Sequence, residues 1–279
     1  MKASLDNSIM SSMMLFLDNT LCDKAQGYTN YTGVFYNTNN LYNNLYSYSL
    51  PFKQIIADNS VSGANILSGV YINNTFSSIG QNGLSGINHQ NGQIFMTSDV
   101  LGSTLSGTYA VKDFNIYLSS EPEERILFEN QYQIRPKTSQ TITGLSPNNI
   151  TYPALFIKNI NTRNESLGFG RFVDSKIEIR VIVMANSLFS LDAVCSYLRD
   201  TAYTHVPIID NTDLKFDYLG STSSGFYNYN NIKNNKLNTV NTIYIEEVSV
   251  SKIYNYIDKI NASVFPAFVD FSLSRVKKY

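Results

Sequence analysis

Few residues in this chain have side chains suited to catalysis. Cys195 and His205 lie ten residues apart, across a predicted helix and its exit, and a cysteine–histidine pair can activate a thiolate. Cys195, however, falls on the apolar stripe of that helix, where a cysteine is inert and packs as a small hydrophobe. Cys22 lies in a second apolar helical segment, so the two cysteines predict no disulfide framework.

The acidic and histidine residues give no stronger signal. Glu121, Glu123 and Glu124 resemble a glycosidase carboxylate set only in number, and a proline-containing turn of this kind predicts solvated side chains. His89 lies beside a predicted turn and is expected to be a solvated polar residue. Metal binding by His89 and His205 would need carboxylate partners, which no spacing supplies. Because Walker A, GxGxxG, HExxH, GxSxG and paired CxxC patterns are also absent, we predict no catalytic, cofactor-binding or metal site and no enzyme activity.

Charge and composition exclude further classes. Charged residues make up 15% of the chain, and its net charge is -1. The sequence has no basic stripe, so it does not indicate sequence-specific nucleic-acid recognition. The sequence has no apolar run of about 18 residues, so it predicts no membrane span, and its first residues lack a signal-peptide pattern. The polar surface must therefore consist largely of Asn, Ser, Thr and Tyr. Such surfaces repel one another weakly, which suits packing against other protein copies.

The first 50 residues predict a helix followed by an arm. Apolar residues at helical spacing predict an N-terminal helix over about residues 4–25, with Ser4 or Asp6 as its cap. Residues 28–50 are rich in Tyr and Asn and keep no helical or strand period. We interpret them as an ordered loop or extended arm, whose tyrosines would provide contact area at low entropic cost.

The middle of the chain predicts strands and one strand–helix unit. Asn91-Gly92 predicts a β-hairpin over residues 83–95. Alternating residues predict strands at 109–118 and 151–160, and a further strand is expected from Ile126. Residues 176–207 predict a strand, apolar on both faces in its later half, then a helix capped by Asn186 or Ser187.

The last third predicts a long loop and two strands. Residues 210–241 lose periodicity and are expected to form a functional or flexible loop. Strands are predicted at 242–253 and 265–278, with a short helix at 252–262 between them. The whole chain, residues 1–279, is therefore expected to be a single α+β domain with a mainly antiparallel or mixed β-sheet, an N-terminal helix, one central strand–helix unit and long loops or arms.

Several segments together resemble virion structural proteins of tailed bacteriophages. These are SLPFKQIIADNSVSGANILSGVYIN (49–73), GLSGINHQNGQIF (83–95), AVKDFNIYLSSEPEERILFEN (110–130), TGLSPNNITYPALFIKN (143–159), the unit at 176–207, and FPAFVDFSLSRVKK (265–278). The unit at 176–207 is similar to the strand–helix unit of tail terminator and neck proteins. The resemblance covers most of the chain and carries no catalytic residues with it.

The resemblance implies a structural role in the virion, assembled in the cytoplasm of the host bacterium. The chain would form a homo-oligomeric ring, expected to be a hexamer, which contacts neighbouring neck, portal or tail proteins and lets double-stranded DNA pass without specific contacts. The alternative is a host- or carbohydrate-binding module of a tail fibre or adhesin. Against this alternative, Trp is absent and no internal repeats occur. A hydrolase using the clustered Glu residues or the cysteine–histidine pair ranks third.

Overall fold

The structure is a computed structural model that describes residues 5–100, 102–127, 152–166, 172–209, 213–214, 219, 225–237, 241–253 and 264–278. It confirms an α+β fold with antiparallel and mixed sheets and an N-terminal helix. The described helices are α1 (Leu5–Asn19), which continues as a π-helical turn (Thr20–Lys24), α2 (Leu188–Arg199) and α3 (Tyr229–Leu237). The strands are β1 (Tyr28–Val34), β2 (Tyr36–Tyr42), β3 (Leu45–Ser49), β4 (Gly69–Ile72), β5 (Thr75–Ser78), β6 (Leu84–Asn88), β7 (Gln93–Met96), β8 (Leu105–Lys112), β9 (Asn115–Leu118), β10 (Ala154–Ser166), β11 (Phe172–Ala185), β12 (His205–Pro207), β13 (Thr242–Lys252) and β14 (Phe265–Lys278).

A six-stranded sheet, which we call the central sheet, forms the largest element of the fold. Its strand order is β12-β13-β14-β11-β10-β9, and every pair is antiparallel except β9 with β10. In β11 and β14, alternate residues are apolar, and the register sets Val181 opposite Val269 and Ile177 opposite Leu273. This face is buried beneath α1 and α2, which confirms the predicted strand–helix unit and N-terminal helix.

The opposite face of the central sheet is apolar at one end and polar at the other. At the apolar end, Phe156, Ile182 and Phe268 pack with Ile126 and Leu127 of a helical turn over residues 123–127. The later half of β11 is therefore covered on both sides, as its sequence predicts. The strand expected from Ile126 is wrong at its start, because Ile126 and Leu127 are helical there. Residues 128–151 lie outside the described part of the chain.

Two four-stranded sheets occupy residues 28–112, which we call the small-sheet region. Their orders are β1-β8-β4-β5 and β2-β3-β7-β6. Between them lies a second core cluster, which includes Leu67, Val70, Ile87, Ile94 and Tyr109. Strands β6 and β7 confirm the hairpin predicted at 83–95.

The prediction of a loop or arm over residues 28–50 is wrong, because the segment forms β1, β2 and β3. Asn39, Asn43 and Asn44 adopt φ angles of 56°, 48° and 63°, which allow sharp turns without glycine. The strands are fixed by distant partners: β1 pairs with β8, and β3 pairs with β7. Only those tertiary hydrogen bonds make this polar segment a set of strands.

The strand predicted at 109–118 is two strands in two different sheets. Strand β8 ends at Lys112, and the Asp113 N–H then donates to the Gly27 carbonyl at 2.9 Å. Beyond it, β9 joins the central sheet in parallel with β10. The side chain of Phe114, at the break, is buried in the core beneath α1. The chain therefore crosses from one sheet to the other at this point.

The expected loop over 210–241 contains a helix, because residues 229–237 form α3. Its first residue, Tyr229, is buried, and its backbone N–H donates to Asp58 Oδ1 at 3.0 Å. Much of the rest of 210–241 lies outside the described residues, as does most of the helix predicted at 252–262. Strands β13 and β14 confirm the last two strand predictions.

Candidate functional site

The cysteine–histidine pair does not form a nucleophilic site. Cys195 lies on the buried face of α2, and burial raises the pKa of its thiol to about 11. His205 is exposed, and its ring packs 4.9 Å from the ring of Tyr244. No hydrogen bond joins Cys195 to His205 among the described residues. Cys22 is also buried, and burial raises its pKa well above the ordinary value, so both thiols pack as hydrophobes, as predicted.

Two of the three clustered glutamates are paired with arginines. Glu121 accepts from Arg125 at 2.7 Å, one helical turn away, and Glu124 is exposed. The prediction of a solvated side chain is wrong for Glu123, because its carboxylate lies 3.0 Å from Nη1 of Arg180. The same guanidinium donates to both carboxylate oxygens of Asp270, at 2.6 and 2.9 Å. These ion pairs attach the helical turn at 123–127 to the central sheet.

His89 is buried, so its prediction as a solvated turn residue is wrong. Its Nε2 lies 3.1 Å from the Leu67 carbonyl oxygen. Burial lowers the pKa of the imidazole to about 4, because the charged form cannot be solvated there. A neutral ring that is bonded to a carbonyl holds the turn after β6 against the segment before β4. This is a structural role that the sequence did not indicate.

Two further kinds of site were tested. Among the residues that the structure describes, no three His, Cys, Asp or Glu side chains are grouped so that they could hold a metal ion. No helix in the same described ranges is both long enough and apolar enough to cross a bilayer.

Residues 28–50 carry exposed apolar side chains on β1 and β2, and we call this set the tyrosine surface. It consists of Tyr31, Val34, Tyr36, Leu41 and Tyr42, and Leu41 is 62% exposed. The ring of Tyr31 stacks on Phe52 at 4.8 Å, and the ring of Tyr42 lies 5.6 Å from Phe95. These rings are held by the small-sheet region, so they present a shaped surface without a large ordering cost.

The central sheet has a free stretch of backbone on each flank. On one side, β9 pairs with β10 only over Ala154–Ile157, so residues 158–165 have no outer strand partner among the described residues. We call this stretch the β10 edge. On the other side, β12 pairs with β13 only over Thr242–Tyr244, and Ile245 bonds to Tyr203 and Thr204. Residues 246–251 form the β13 edge and likewise lack an outer partner within the described ranges.

The two edges differ in charge. The β10 edge contains Lys158, Arg163 and Glu165, a net charge of +1. The β13 edge contains Glu246 and Glu247, a net charge of -2. Arg163 already pairs with Glu165, and Glu246 with Lys176, so Lys158 and Glu247 carry the remaining charge of the two edges among the described residues. Unpaired edges of this length are templates for strand addition, and this opposite charge favours one edge meeting the other. The sequence contains no signal for these edges, because it does not give the order of strands in the sheet.

Comparison with known proteins adds no relative. The chain matches no model of a known protein family, and a search of curated proteins finds no match either.

Proposed function

We propose that this chain is a structural subunit of a tailed-bacteriophage virion, which forms a homo-oligomeric ring at the neck. As a head-to-tail connector or tail terminator, it would join the capsid portal to the tail and let DNA pass. The observation that carries the proposal is the pair of free edges on opposite flanks of the central sheet, which differ in net charge. The segment resemblance supplies the virion context.

The polarity of the strands suits a ring. Strand β13 is antiparallel to β14, β14 to β11, and β11 to β10, so β13 runs antiparallel to β10. If copies are related by rotation about an axis parallel to the strands, the β13 strand of one copy is still antiparallel to the β10 strand of the next. The β13 edge of one copy would then meet the β10 edge of the next in ordinary antiparallel pairing. Since each copy would use two different edges, the contact is heterologous and closes as a ring rather than as a dimer.

The polar half of the sheet face opposite the helices suits a passage for DNA. Two of its cations already have partners: Arg180 is paired with Asp270 and Glu123, and Lys176 with Asp174 and Glu246. Each free cation that binds a phosphate adds salt-dependent affinity and would hold the polymer in place. A face on which cations are neutralised internally would let DNA slide. The tyrosine surface would contact neighbouring neck, portal or tail proteins.

The test of the ring is the assembly state of the purified protein. We expect rings in electron micrographs and a mass several times that of one chain, with six copies as the expected number. The variant Arg163→Glu changes the net charge of the β10 edge from +1 to -1 and should weaken assembly by about tenfold. Glu247→Lys changes the β13 edge from -2 to 0, and the combined variant should recover part of the loss.

A matched control is Arg199→Glu, which reverses an exposed charge at the end of α2 that belongs to neither edge. It should assemble like the unmodified chain. Solitary particles at micromolar concentration, with no binding to portal or tail proteins, would contradict the proposed function.

One observation favours the alternative of carbohydrate binding. Tyr31 and Tyr36 have exposed rings in the tyrosine surface, and exposed aromatic faces can stack on sugars. A hit on a glycan array that disappears in Tyr31→Ala and Tyr36→Ala would favour a host-binding module. Loss of ring assembly in the same variants would instead assign the tyrosine surface to protein contacts.

A further inference from the structure

A cavity of about 470 Å³ lies where α1 meets the small-sheet region. Its apolar wall includes Met14 and Leu15 of α1 and Ile116 and Leu118 of β9. Its polar residues include Lys112, Asp18, Tyr227 and Gln90. We call it the Lys112 cavity. Its size and its mostly apolar lining with a few polar groups are typical of small-molecule sites.

A buried ion pair forms the polar end of the cavity. Lys112 Nζ lies 2.6 Å from Asp18 Oδ1, and the two side chains are only 11% and 7% exposed. Burial acts to lower the pKa of the Lys112 ammonium, but the charge of Asp18 and its hydrogen bond outweigh burial, and the pKa is raised. Lys112 is therefore a cation that faces an anion, which rules it out as a general base.

The ion pair has hydrogen-bonding capacity left over. An ammonium has three donors, and the described residues accept only one of those of Lys112. Asp18 Oδ2 accepts no hydrogen bond from the described residues. The hydroxyl of Tyr227, which lines the same cavity, has no hydrogen-bond partner among them either. Donors and an acceptor that are left open beside a cavity can form hydrogen bonds with a ligand that enters it.

The wall of the cavity is formed in advance. Gln54 accepts from the Ile116 N–H at 2.9 Å and donates to the Ile116 carbonyl at 3.2 Å, so its amide clamps the start of β9. This reciprocal clamp fixes the wall opposite α1. A ligand would therefore meet fixed surfaces and would not have to order them.

We propose that the Lys112 cavity binds a small, neutral, planar molecule whose edge carries a hydrogen-bond acceptor next to a donor, such as a primary amide or a lactam on an apolar ring. The carbonyl would accept from Lys112, the N–H would donate to Asp18, and the ring would lie against Met14, Leu15 and Leu118. A carboxylate ligand would be attracted by Lys112 but repelled by Asp18. An ammonium ligand would be attracted by Asp18 but repelled by Lys112. A neutral edge satisfies both partners at once.

The test uses three probes of nearly equal shape at neutral pH: 2-naphthamide, 2-naphthoate and 2-naphthylmethylamine. Calorimetry and saturation-transfer NMR on the full chain should show the amide bound at least tenfold more tightly than either charged probe. Lys112→Met should weaken amide binding by at least tenfold. Ser11→Trp places a bulky ring at an exposed position of the cavity lining and should abolish binding without disturbing the core.

Lys252→Met is the matched control, because it removes a lysine from another ion pair, with Asp192, away from the cavity. It should bind the amide unchanged. If Lys112→Met does not fold, Ser11→Trp decides the question alone. No binding of the amide, equal binding of the three probes, or amide binding that survives Ser11→Trp would each overturn the proposal and leave a cavity filled by water only. None of these results depends on ring assembly, so this proposal and the proposed function fail separately.

Discussion

The central sheet and the small-sheet region reach a buried core in different ways. In the central sheet, β11 and β14 each run for 14 residues and pair along their whole length. In the small-sheet region, most strands have four to eight residues and are linked by turns at Asn and Gly positions with positive φ. A long strand defines its buried face by its own alternation, whereas a short strand needs its neighbours to define one.

The two regions nevertheless share interactions. The Ile56 N–H donates to the Ala110 carbonyl at 2.9 Å, and Ile56 belongs to the core beneath α1. Asp58 connects the small-sheet region to α3, and Lys112 connects it to α1. We therefore expect the regions to unfold together, and substitutions in each region test that coupling.

Truncation of one core residue in each region should destabilise the same cooperative unit. Phe271→Ala in β14 should lower the free energy of unfolding by about 4 kcal/mol, and Ile94→Ala in β7 by about 3 kcal/mol. Both side chains are fully buried. Calorimetry should show one transition that moves down in each variant. If two transitions appear and each variant moves only one of them, the two regions unfold independently and the expected coupling is wrong.

Asp58→Ala should lower the free energy of unfolding by about 3 kcal/mol, because it removes a buried acceptor and leaves several donors without a partner. Asp58 is 2% exposed and accepts from Asn19 Nδ2 at 2.9 Å, from the backbone N–H and hydroxyl of Ser60, and from the Tyr229 N–H. Asp58→Asn keeps one acceptor and should cost less. Urea unfolding measures both. Equal losses would show that the carboxylate is not the group that couples α3 to this region.

Gly92→Ala should lower the free energy of unfolding by about 2 kcal/mol, because the turn after β6 requires a positive φ at this position and brings other backbone atoms close to it. Gly92 has a φ of 62°, and an added Cβ would collide with the carbonyl oxygen of Phe52. Gly80→Ala is the control: Gly80 has a φ of 85°, but no atom lies within 4 Å of its added Cβ. It should cost about 1 kcal/mol, from conformation alone. Similar losses in the two variants would remove the collision as a cause.

Acid should destabilise the small-sheet region through His89. The folded-state pKa is about 4 and the ordinary value is 6.5, so between these values the unfolded chain binds a proton that the folded chain excludes. Stability is retained above pH 6.5 and falls by up to about 1.4 kcal/mol per pH unit between pH 6.5 and about 4.

The measurement is the difference in unfolding free energy between pH 7 and pH 5. This difference should be smaller in His89→Gln than in the unmodified chain, because the glutamine does not titrate. His205→Asn removes the exposed histidine and should behave like the unmodified chain. An unchanged pH dependence in His89→Gln would contradict the assignment.

The sequence predicted the elements whose pattern is local and long. The alternation in β11 and β14, the apolar stripe of α2 and the spacing of α1 each defined a buried face without outside information. Ser187 was a correct candidate for the cap of α2, because its hydroxyl accepts from the Ser190 N–H at 3.1 Å. The burial of Cys22 and Cys195 followed from the same stripes.

The rest could not be predicted because its patterns depend on distant residues. Residues 28–50 lack a period, since β1 has most of its residues exposed on both faces and is held by β8, about 80 residues later. His89 is polar beside a turn, and only the packing of the turn against Leu67 buries it. No local pattern brings Lys112 and Asp18 together, because they are 94 residues apart.

Local sequence patterns were enough to predict that this chain is α+β, that its helices and long strands bury one apolar face, and that its thiols are packing residues. They were enough because consecutive residues contain the periods of a helix and a strand. The order of strands, and with it the two free edges, the partners of Arg180 and the Lys112 cavity, became known from the folded structure. Those features are created by contacts between residues far apart in the chain, and no local period records which segments will meet.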